Sequence, residues 1–232
     1  MPFKIGQQKL FPVVQSPDDI LTEDLLDAAT GATNIVGSMG SNFSMTKDDM
    51  LGNIKKIRTK YETDKEKFRK LKDLLQDEVD KKEHKNDKSA NVGGLWLKRG
   101  LEYLCEVFWE LIKEHENCKK SGGKGDSGAV KTACKNAYEK TLMEYHNFIT
   151  KGLVKGGLMM TPYKKDFYDN LADGGKDKED EIWEEMKAYE VPFRTFVITL
   201  GRLFHEFDKK DKILEDVHAG GEGQKTMQQK LE

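Results

Sequence analysis

The sequence predicts an all-α protein, and three observations support this. Apolar residues recur at helical spacing in several long segments, whereas no segment shows the sustained alternation of a half-buried strand. Only five prolines occur in 232 residues, and four of them fall near the boundaries of predicted helices. Apolar residues make up 37% of the chain and charged residues 34%, which is enough for a packed core beneath a solvated surface. We expect one domain of about eight helices over residues 1–217 and a polar, disordered tail over residues 218–232.

The first two helices are predicted from their start signals. Ser16 is followed by a proline and two acids, which predicts an N-cap and a helix that extends to about Thr33. Thr46 and Asp49 resemble a capping box with Asp in place of Glu, so a second helix should begin at Thr46.

The middle of the chain contains the most apolar helical pattern. A third helix is expected over residues 64–82, followed by a polar loop over residues 82–90. Residues 94–115 are apolar over more than half of a helix circumference. Such a helix belongs at the centre of a fold.

The second half is divided by glycines and prolines. Residues 121–128 predict a flexible connection, and residues 129–150 predict a long helix. The remaining predicted elements are a break at Gly152, Gly156 and Gly157, a short helix after Pro162, a helix over residues 178–189 and a last helix from about Pro192.

Charge and cysteine usage limit the class of protein. A formal net charge of −2 does not favour a nucleic-acid-binding protein. The three cysteines, Cys105, Cys118 and Cys134, have no metal-ligand spacing and predict reduced thiols. The first residues lack the apolar run of a signal peptide, and no stretch is long enough to span a bilayer. We expect a soluble, cytoplasmic protein that is a monomer.

Catalytic motifs are missing from the sequence. His115 and His205 each precede a glutamate, but neither has the second histidine of a zinc-binding HExxH motif. The run SGGKGDSG lacks the residue order of a phosphate-binding loop, and no GxSxG is present. We expect a protein that is not an enzyme and needs no metal or cofactor.

One short segment, DMLGNIKKI, carries binding chemistry. Asp49, Asn53 and Lys56 are spaced i, i+4 and i+7, so they share one face of a helix. Together they offer a carboxylate acceptor, an amide that donates and accepts, and a cationic donor. These groups suit a polyhydroxylated ligand that also has an amide. The alternative is an ordinary solvated helix face, which is common in proteins.

Three motifs in order give the chain a resemblance to a known family. DMLGNIKKI, the segment LWLKRGL over residues 95–101 and the pair Tyr145-His146 resemble the glycolipid transfer protein family. TPYKKDF over residues 161–167 extends the likeness, which runs from about Leu25 to Phe207. The resemblance implies a two-layer sandwich of helices that encloses a hydrophobic chamber for lipid chains. It also implies that the protein binds a glycosphingolipid and transfers it between membranes.

The resemblance assigns the headgroup roles by motif position. Asp49 would accept hydrogen bonds from the ceramide amide and the sugar, and Asn53 and Lys56 would bond to sugar hydroxyls. Trp96 would form a flat platform under the first sugar, since an indole face packs on a pyranose ring. His146 would donate to the ceramide carbonyl. From the residues alone, Trp96 and His146 could equally be core residues.

Two further sets of residues are expected to contact lipid. In relatives, an aromatic residue two positions after the histidine touches the membrane, and here that residue is Phe148. Nearby lysines, Lys151, Lys155, Lys164 and Lys165, could attract anionic lipids during this transient contact. The hydrocarbon chains would be lined by apolar residues that could also be ordinary core: Phe43, Ile54, Tyr103, Val107, Phe108, Leu142, Val154, Phe167, Phe193 and Val197.

Two other functions stay open at this point. A carrier of ceramide-1-phosphate or another phospholipid is one alternative, because Lys98 and Arg99 lie near Trp96. Relatives that carry ceramide-1-phosphate have arginine where Trp96 stands, since a phosphate requires a cationic fork. The other alternative is a helical adaptor or a lipid sensor that does not transfer lipid.

Overall fold

The computed structural model describes residues 4–123, 125–172, 175 and 177–211, and this part of the chain is all-helical, as predicted. Within these ranges the one β-type contact is an isolated bridge between Leu21 and Lys70. The predicted tail, residues 218–232, lies outside the described residues. The described α-helices are α1 (Thr22–Ser38), α2 (Ser44–Tyr61), α3 (Leu71–Asp80), α4 (Ala90–Ser121), α5 (Ala129–Thr141), α6 (Phe148–Met159), α7 (Lys164–Leu171) and α8 (Glu179–Asp211). Short 3-10 helices cover Pro17–Asp19, Ser41–Phe43 and Met143–Tyr145.

Helix α4 lies at the centre of the fold, as its apolar circumference predicted. It packs against α2, α5 and α8, and buried residues occur along most of its length. Its first turn is fixed by two side chains. The Ser89 hydroxyl accepts a hydrogen bond from the backbone N–H of Val92, and the buried Glu78 carboxylate accepts from the N–H groups of Ala90 and Asn91. A carboxylate at this end of a helix also complements the helix dipole.

Helices α2 and α4 come closest at Gly93. A β-carbon on Gly93 would lie 3.0 Å from the backbone oxygen of Asn53 and 2.8 Å from the β-carbon of Lys56. Both distances are shorter than an ordinary contact between such atoms, so only glycine permits this approach. The polar residues of α2 are thereby held beside the first turns of α4.

The start of α1 differs from the prediction. Ser16 does act as an N-cap, because its hydroxyl accepts from the N–H of Asp18, but it caps only the 3-10 turn. The chain then leaves the helix to pair with the segment before α3: the N–H of Thr22 donates to Arg69 and the N–H of Leu71 donates to Ile20. This pairing delays the start of α1 to Thr22 and also shortens the predicted third helix, which begins only at Leu71.

The predicted capping box is wrong. Helix α2 begins at Ser44 after the 3-10 turn, so Thr46 lies inside the helix and makes no side-chain cap. The identity of the helix was correct, and its stripe of buried residues includes Met50, Ile54 and Ile57.

The second half contains two further differences. The helix predicted over residues 129–150 is interrupted after Thr141, and the predicted break at three glycines is wrong because those glycines lie inside α6. The two helices expected around Pro192 form one helix, α8. An internal proline costs roughly 3 kcal/mol, and the buried side chains of Tyr189, Phe193 and Phe196 hold α8 in the core on both sides of it.

None of the helices described here could cross a bilayer, because each is too short or insufficiently apolar for that.

The close approach at Gly93 can be tested by adding a single methyl group. We expect Gly93→Ala to push α2 away from α4 and to lower the free energy of unfolding by about 1–3 kcal/mol, the usual cost of overpacking. Gly52→Ala is the matched control, since a β-carbon at Gly52 meets nothing within 4 Å. There the better helix propensity of alanine should stabilise by roughly 0.5–1 kcal/mol. Urea denaturation measures both changes, and equal stability of the two variants would contradict the account.

Candidate functional site

The three polar residues of DMLGNIKKI form a hydrogen-bonded row on α2. The Nδ2 of Asn53 donates to Oδ2 of Asp49 at 3.3 Å, and Nζ of Lys56 donates to Oδ1 of Asn53 at 3.3 Å. Asn53 is buried, Lys56 is half-buried, and Asp49 is exposed but lines the cleft, whose walls take up part of its surroundings. The row therefore presents an acceptor and donors whose orientations are already set.

Trp96 and His146 lie side by side with nearly parallel rings. Their ring centroids are 6.2 Å apart and their planes differ by 23°. Trp96 is held by α4, whereas His146 adopts an extended backbone between the 3-10 turn and α6. The interruption of the helix predicted over residues 129–150 is what turns His146 towards Trp96. A sequence signal for it exists, because Asn147 caps α6 by accepting from the N–H of Thr150.

The structure brings all five predicted headgroup residues to one cleft of about 520 Å³. Helices α2 and α4 form one side, and the segment from Tyr138 to Val154 forms the other. The lining residues are Met45, Thr46, Asp49, Met50, Asn53, Lys56, Trp96, Gly100, Tyr103, Tyr138, Leu142, Tyr145, His146, Asn147, Thr150 and Val154. The cleft thus combines hydrogen-bonding groups, aromatic rings and aliphatic side chains.

The environment of the cleft changes the acidity of Asp49. The pKa of this carboxyl is raised above its ordinary value because the surrounding protein replaces part of its hydration. The positive charge of Lys56 opposes the rise only in part. An ionised Asp49 that has lost part of its hydration favours a ligand that donates a hydrogen bond to it.

Sequence reasoning missed the residues that hold the two rings in place. The Tyr138 hydroxyl lies 3.1 Å from Nδ1 of His146. When this hydroxyl donates, the proton of the neutral imidazole is on Nε2. The guanidinium carbon of Arg99 lies 3.5 Å from the ring centroid of Tyr145 and 4.6 Å from that of Trp96. These are cation–π contacts, and they fix the plane of Trp96 from beneath.

Lys98 and Arg99 do not line the cleft. These two residues were the reason for keeping a phosphate-headed lipid as an alternative ligand. Both are buried, and Nζ of Lys98 pairs with the Glu102 carboxylate at 2.7 Å. Arg99 stacks against the aromatic rings as described above. Among the described lining residues, Lys56 is the one lysine or arginine.

The residues predicted to line hydrocarbon fall into two groups. Tyr103, Leu142 and Val154 line the cleft. The other seven are part of the continuous buried core: Phe43, Ile54, Val107, Phe108, Phe167, Phe193 and Val197. In this structure those seven pack against protein side chains, so their contact with lipid stays a prediction.

Phe148 lies on an exposed surface with several apolar side chains. It is 90% exposed, and its α6 neighbours Ile149 and Leu153 are 73% and 58% exposed. Helix α6 has no buried residue, and Lys151 and Lys155 are exposed beside the apolar side chains. Lys164 does not belong to this surface, which corrects the prediction that it attracts lipid. Its side chain is buried between the carboxylates of Glu114 and Glu179.

Comparison with known proteins decides the family. The sequence profile of the family described as Glycolipid transfer protein (GLTP) matches residues 20–173. The chain belongs to the glycolipid transfer protein family. The match covers the α2 row, Trp96 and His146 together, and it confirms the resemblance seen in the motifs. Members of this family are lipid transfer proteins.

Individual relatives match over most of their length. A glycolipid transfer protein of Aureobasidium melanogenum is 32% identical over 164 residues, which are 70% of this chain and 74% of the relative. One from Xenopus tropicalis is 29% identical and covers 87% of this chain and 94% of the relative. Among solved structures, FAPP2, described as selecting simple glycosphingolipids with the GLTP-fold, is 28% identical with a TM-score of 0.73. It covers 88% of this chain and 96% of that one.

A second structural neighbour shares the fold at lower identity. Arabidopsis ACD11 complexed with ceramide-1-phosphate has a TM-score of 0.72 and 18% identity, and covers 90% of this chain and 96% of that one. These neighbours confirm the predicted all-helical fold. At this identity, the likeness to ACD11 bears on the fold alone.

The raised pKa of Asp49 gives a prediction about stability. A carboxyl whose pKa is higher in the folded than in the unfolded protein weakens folding when it is ionised. We expect Asp49→Asn to leave the melting temperature unchanged or slightly raised at pH 7. The difference should vanish as the pH falls below about 4, where both states are protonated.

Asp77→Asn provides a control of opposite sign. Lys60, Lys67 and Lys81 donate to the Asp77 carboxylate at 2.5, 2.5 and 2.8 Å and lower its pKa. This substitution should reduce the melting temperature at pH 7, because the ionised carboxyl stabilises the fold above its unfolded pKa. The reduction should shrink as the pH falls. A loss of stability in Asp49→Asn as large as in Asp77→Asn would contradict the assignment.

Proposed function

We propose that this protein binds a glycosphingolipid in the cleft and transfers it between membranes. The observation that carries the proposal is the pairing of the α2 row with the parallel rings of Trp96 and His146 in one cleft. This arrangement has the two kinds of contact that a glycolipid head requires, an apolar flat surface and a set of directed hydrogen bonds.

The sugar would lie on the exposed face of Trp96. The C–H face of a pyranose is apolar and packs on an indole, while the hydroxyl groups point outward around its rim. Asn53 and Lys56 would bond to those hydroxyls. Arg99, stacked beneath Trp96, keeps the indole plane fixed and thereby lowers the entropy lost on binding.

The ceramide amide would lie between Asp49 and His146. An amide has one N–H and one carbonyl, so one acceptor and one donor satisfy it. The Asp49 carboxylate would accept from the N–H. His146 would donate to the carbonyl from Nε2, the protonation state that a donating Tyr138 hydroxyl favours.

The lipid chains would enter past the apolar side of the cleft. Each CH₂ exposed to water costs ~0.8 kcal/mol, so a carrier must enclose the chains. Tyr103, Leu142 and Val154 provide an apolar entrance beside the headgroup residues. Because the core beyond them is packed, chain entry must displace side chains such as Phe108 and Val107.

Helix α6 would bring the cleft to the membrane surface. Its exposed side chains Phe148, Ile149 and Leu153 can enter the interfacial region, and Lys151 and Lys155 can approach anionic headgroups. Asn147, Thr150 and Val154 on the same segment line the cleft. Docking through α6 would therefore place the entrance of the cleft next to the bilayer.

The proposal favours a sugar over a phosphate as the ligand head. The flat group in the cleft is an aromatic ring, and the cationic fork that a phosphate requires is not formed by the described lining residues. A transfer assay with a glycosylceramide and ceramide-1-phosphate as parallel cargoes tests this preference. Faster transfer of ceramide-1-phosphate by the wild-type protein would reject it.

Two substitutions test the headgroup site. Asp49→Val and Trp96→Ala should each reduce transfer of labelled glucosylceramide between vesicles by about 30-fold or more, as expected for a contact worth ~2 kcal/mol. Asp48→Val and Trp109→Ala are matched controls, because both residues lie outside the cleft. Normal transfer by either site variant, with circular dichroism unchanged, would show that the site is misassigned.

The docking role of α6 predicts a separation of rate from affinity. Burying a phenylalanine in the membrane interface contributes roughly 2 kcal/mol, so Phe148→Ala should slow transfer by up to about 30-fold. Equilibrium binding of glucosylceramide, measured by tryptophan fluorescence, should stay the same. Val191→Ala, on an exposed position of α8 away from α6, should change neither quantity. An equal loss of rate and affinity in Phe148→Ala would reject the docking role.

A further inference from the structure

Phe11 is inserted into the aromatic core from a segment that has no regular structure. Its ring stacks on Phe193 with centroids 4.5 Å apart and 18° between the planes. It also contacts Phe196 at 5.1 Å and Tyr189 at 6.1 Å. All three partners belong to α8, and Phe11 itself is 2% exposed.

Residues 4–15 contribute two buried apolar side chains to the core, Ile5 and Phe11, and Val14 packs against it in part. The adjacent Leu10 is 53% exposed and Val13 is 72% exposed, so the chain on either side of Phe11 lies on the surface. Between Ile5 and Phe11, polar contacts hold the segment on the surface. Gly6 donates through its backbone N–H to the Glu185 carboxylate, and Lys9 pairs with Asp24 and Asp27. Phe11 therefore packs into the core from a segment that lies outside the helices.

Phe11 lies at the depth that a lipid chain would reach. Twelve positions separate Trp96 from Phe108 on α4, which is about 18 Å along the helix axis. The Phe108 ring contacts Tyr189 and Phe193, the same residues that contact Phe11. The hydrocarbon of one bilayer leaflet is ~15 Å thick, half of the ~30 Å core. A chain that enters at the cleft and follows α4 inward therefore ends near this cluster.

We propose that Phe11 is the end wall of the hydrocarbon chamber and sets the length of the acyl chain that the protein accepts. The inference rests on the proposed function. It assigns a specificity-determining role to a residue outside both the headgroup site and the predicted chain-lining set. In a close-packed interior, hydrocarbon can occupy only the space that side chains leave. Because Phe11 lies on a segment outside the helices, the size of its ring can set that space while the helices keep the same packing.

The test compares transfer of two radiolabelled glucosylceramides that differ only in their N-acyl chain, palmitoyl or the longer tetracosanoyl. The measured quantity is the ratio of tetracosanoyl to palmitoyl transfer rates between phosphatidylcholine vesicles. The ratio in each variant is divided by that of the wild type, which cancels the slower desorption of the longer lipid. We expect Phe11→Ala to raise this relative ratio by at least about tenfold, since a hydrophobic pocket discriminates even one methylene by roughly that factor and the two acyl chains differ by more than one. Phe11→Trp should lower it, and Leu10→Ala, the exposed neighbour, should leave it unchanged.

The outcomes separate this inference from the proposed function. If the wild type transfers neither lipid, the proposed function fails and the inference fails with it. If the wild type transfers both and the ratio is the same in Phe11→Ala and Phe11→Trp, the end-wall role alone is wrong. Circular dichroism identifies a variant that does not fold. Should Phe11→Ala unfold, Phe11→Leu, a smaller reduction in volume, takes its place, and an unchanged ratio in Phe11→Leu and Phe11→Trp rejects the inference.

Discussion

The close contact between α2 and α4 at Gly93 is the constraint on which the rest of the site depends. The row on α2 and the tryptophan on α4 can share a cleft only if the two helix backbones approach this closely. Glu78 and Ser89 fix where α4 starts, and so fix Trp96 two turns later relative to Asn53. Helix packing therefore positions four of the five candidate headgroup residues, and the extended connection before α6 positions His146.

The cleft joins two environments that a lipid with a polar head requires. Its outer part contains the carboxylate, amide and ammonium groups of α2, and its inner part contains aliphatic and aromatic side chains that continue into the core. Aromatic contacts with Arg99 and a hydroxyl contact with Tyr138 hold the two rings between these parts. The exposed apolar face of α6 lies beside the cleft, so the surface that would touch a membrane and the cleft that would take the lipid share one segment of chain.

The sequence predicted which residues share the cleft better than it predicted the helix boundaries. The i, i+4, i+7 spacing placed Asp49, Asn53 and Lys56 on one face because that relation is local, and the ordered motifs added Trp96 and His146. Arg99 and Tyr138 were missed because their roles are contacts between distant parts of the chain. The starts of α1 and α3 were mispredicted for the same reason, because the pairing of Leu21 with Lys70 cannot be seen from either segment alone. A helix boundary was wrongly predicted at Pro192, because burial of the neighbouring side chains outweighs the tendency of proline to end a helix.

The most direct test is a crystal structure of the protein in complex with glucosylceramide. We expect the glucose ring on the face of Trp96, and the ceramide amide between the Asp49 carboxylate and the His146 ring. We also expect at least one hydrocarbon chain inside the core, in contact with Phe108. A sugar bound away from Trp96, or both chains lying on the outside of an unchanged core, would contradict the proposed site.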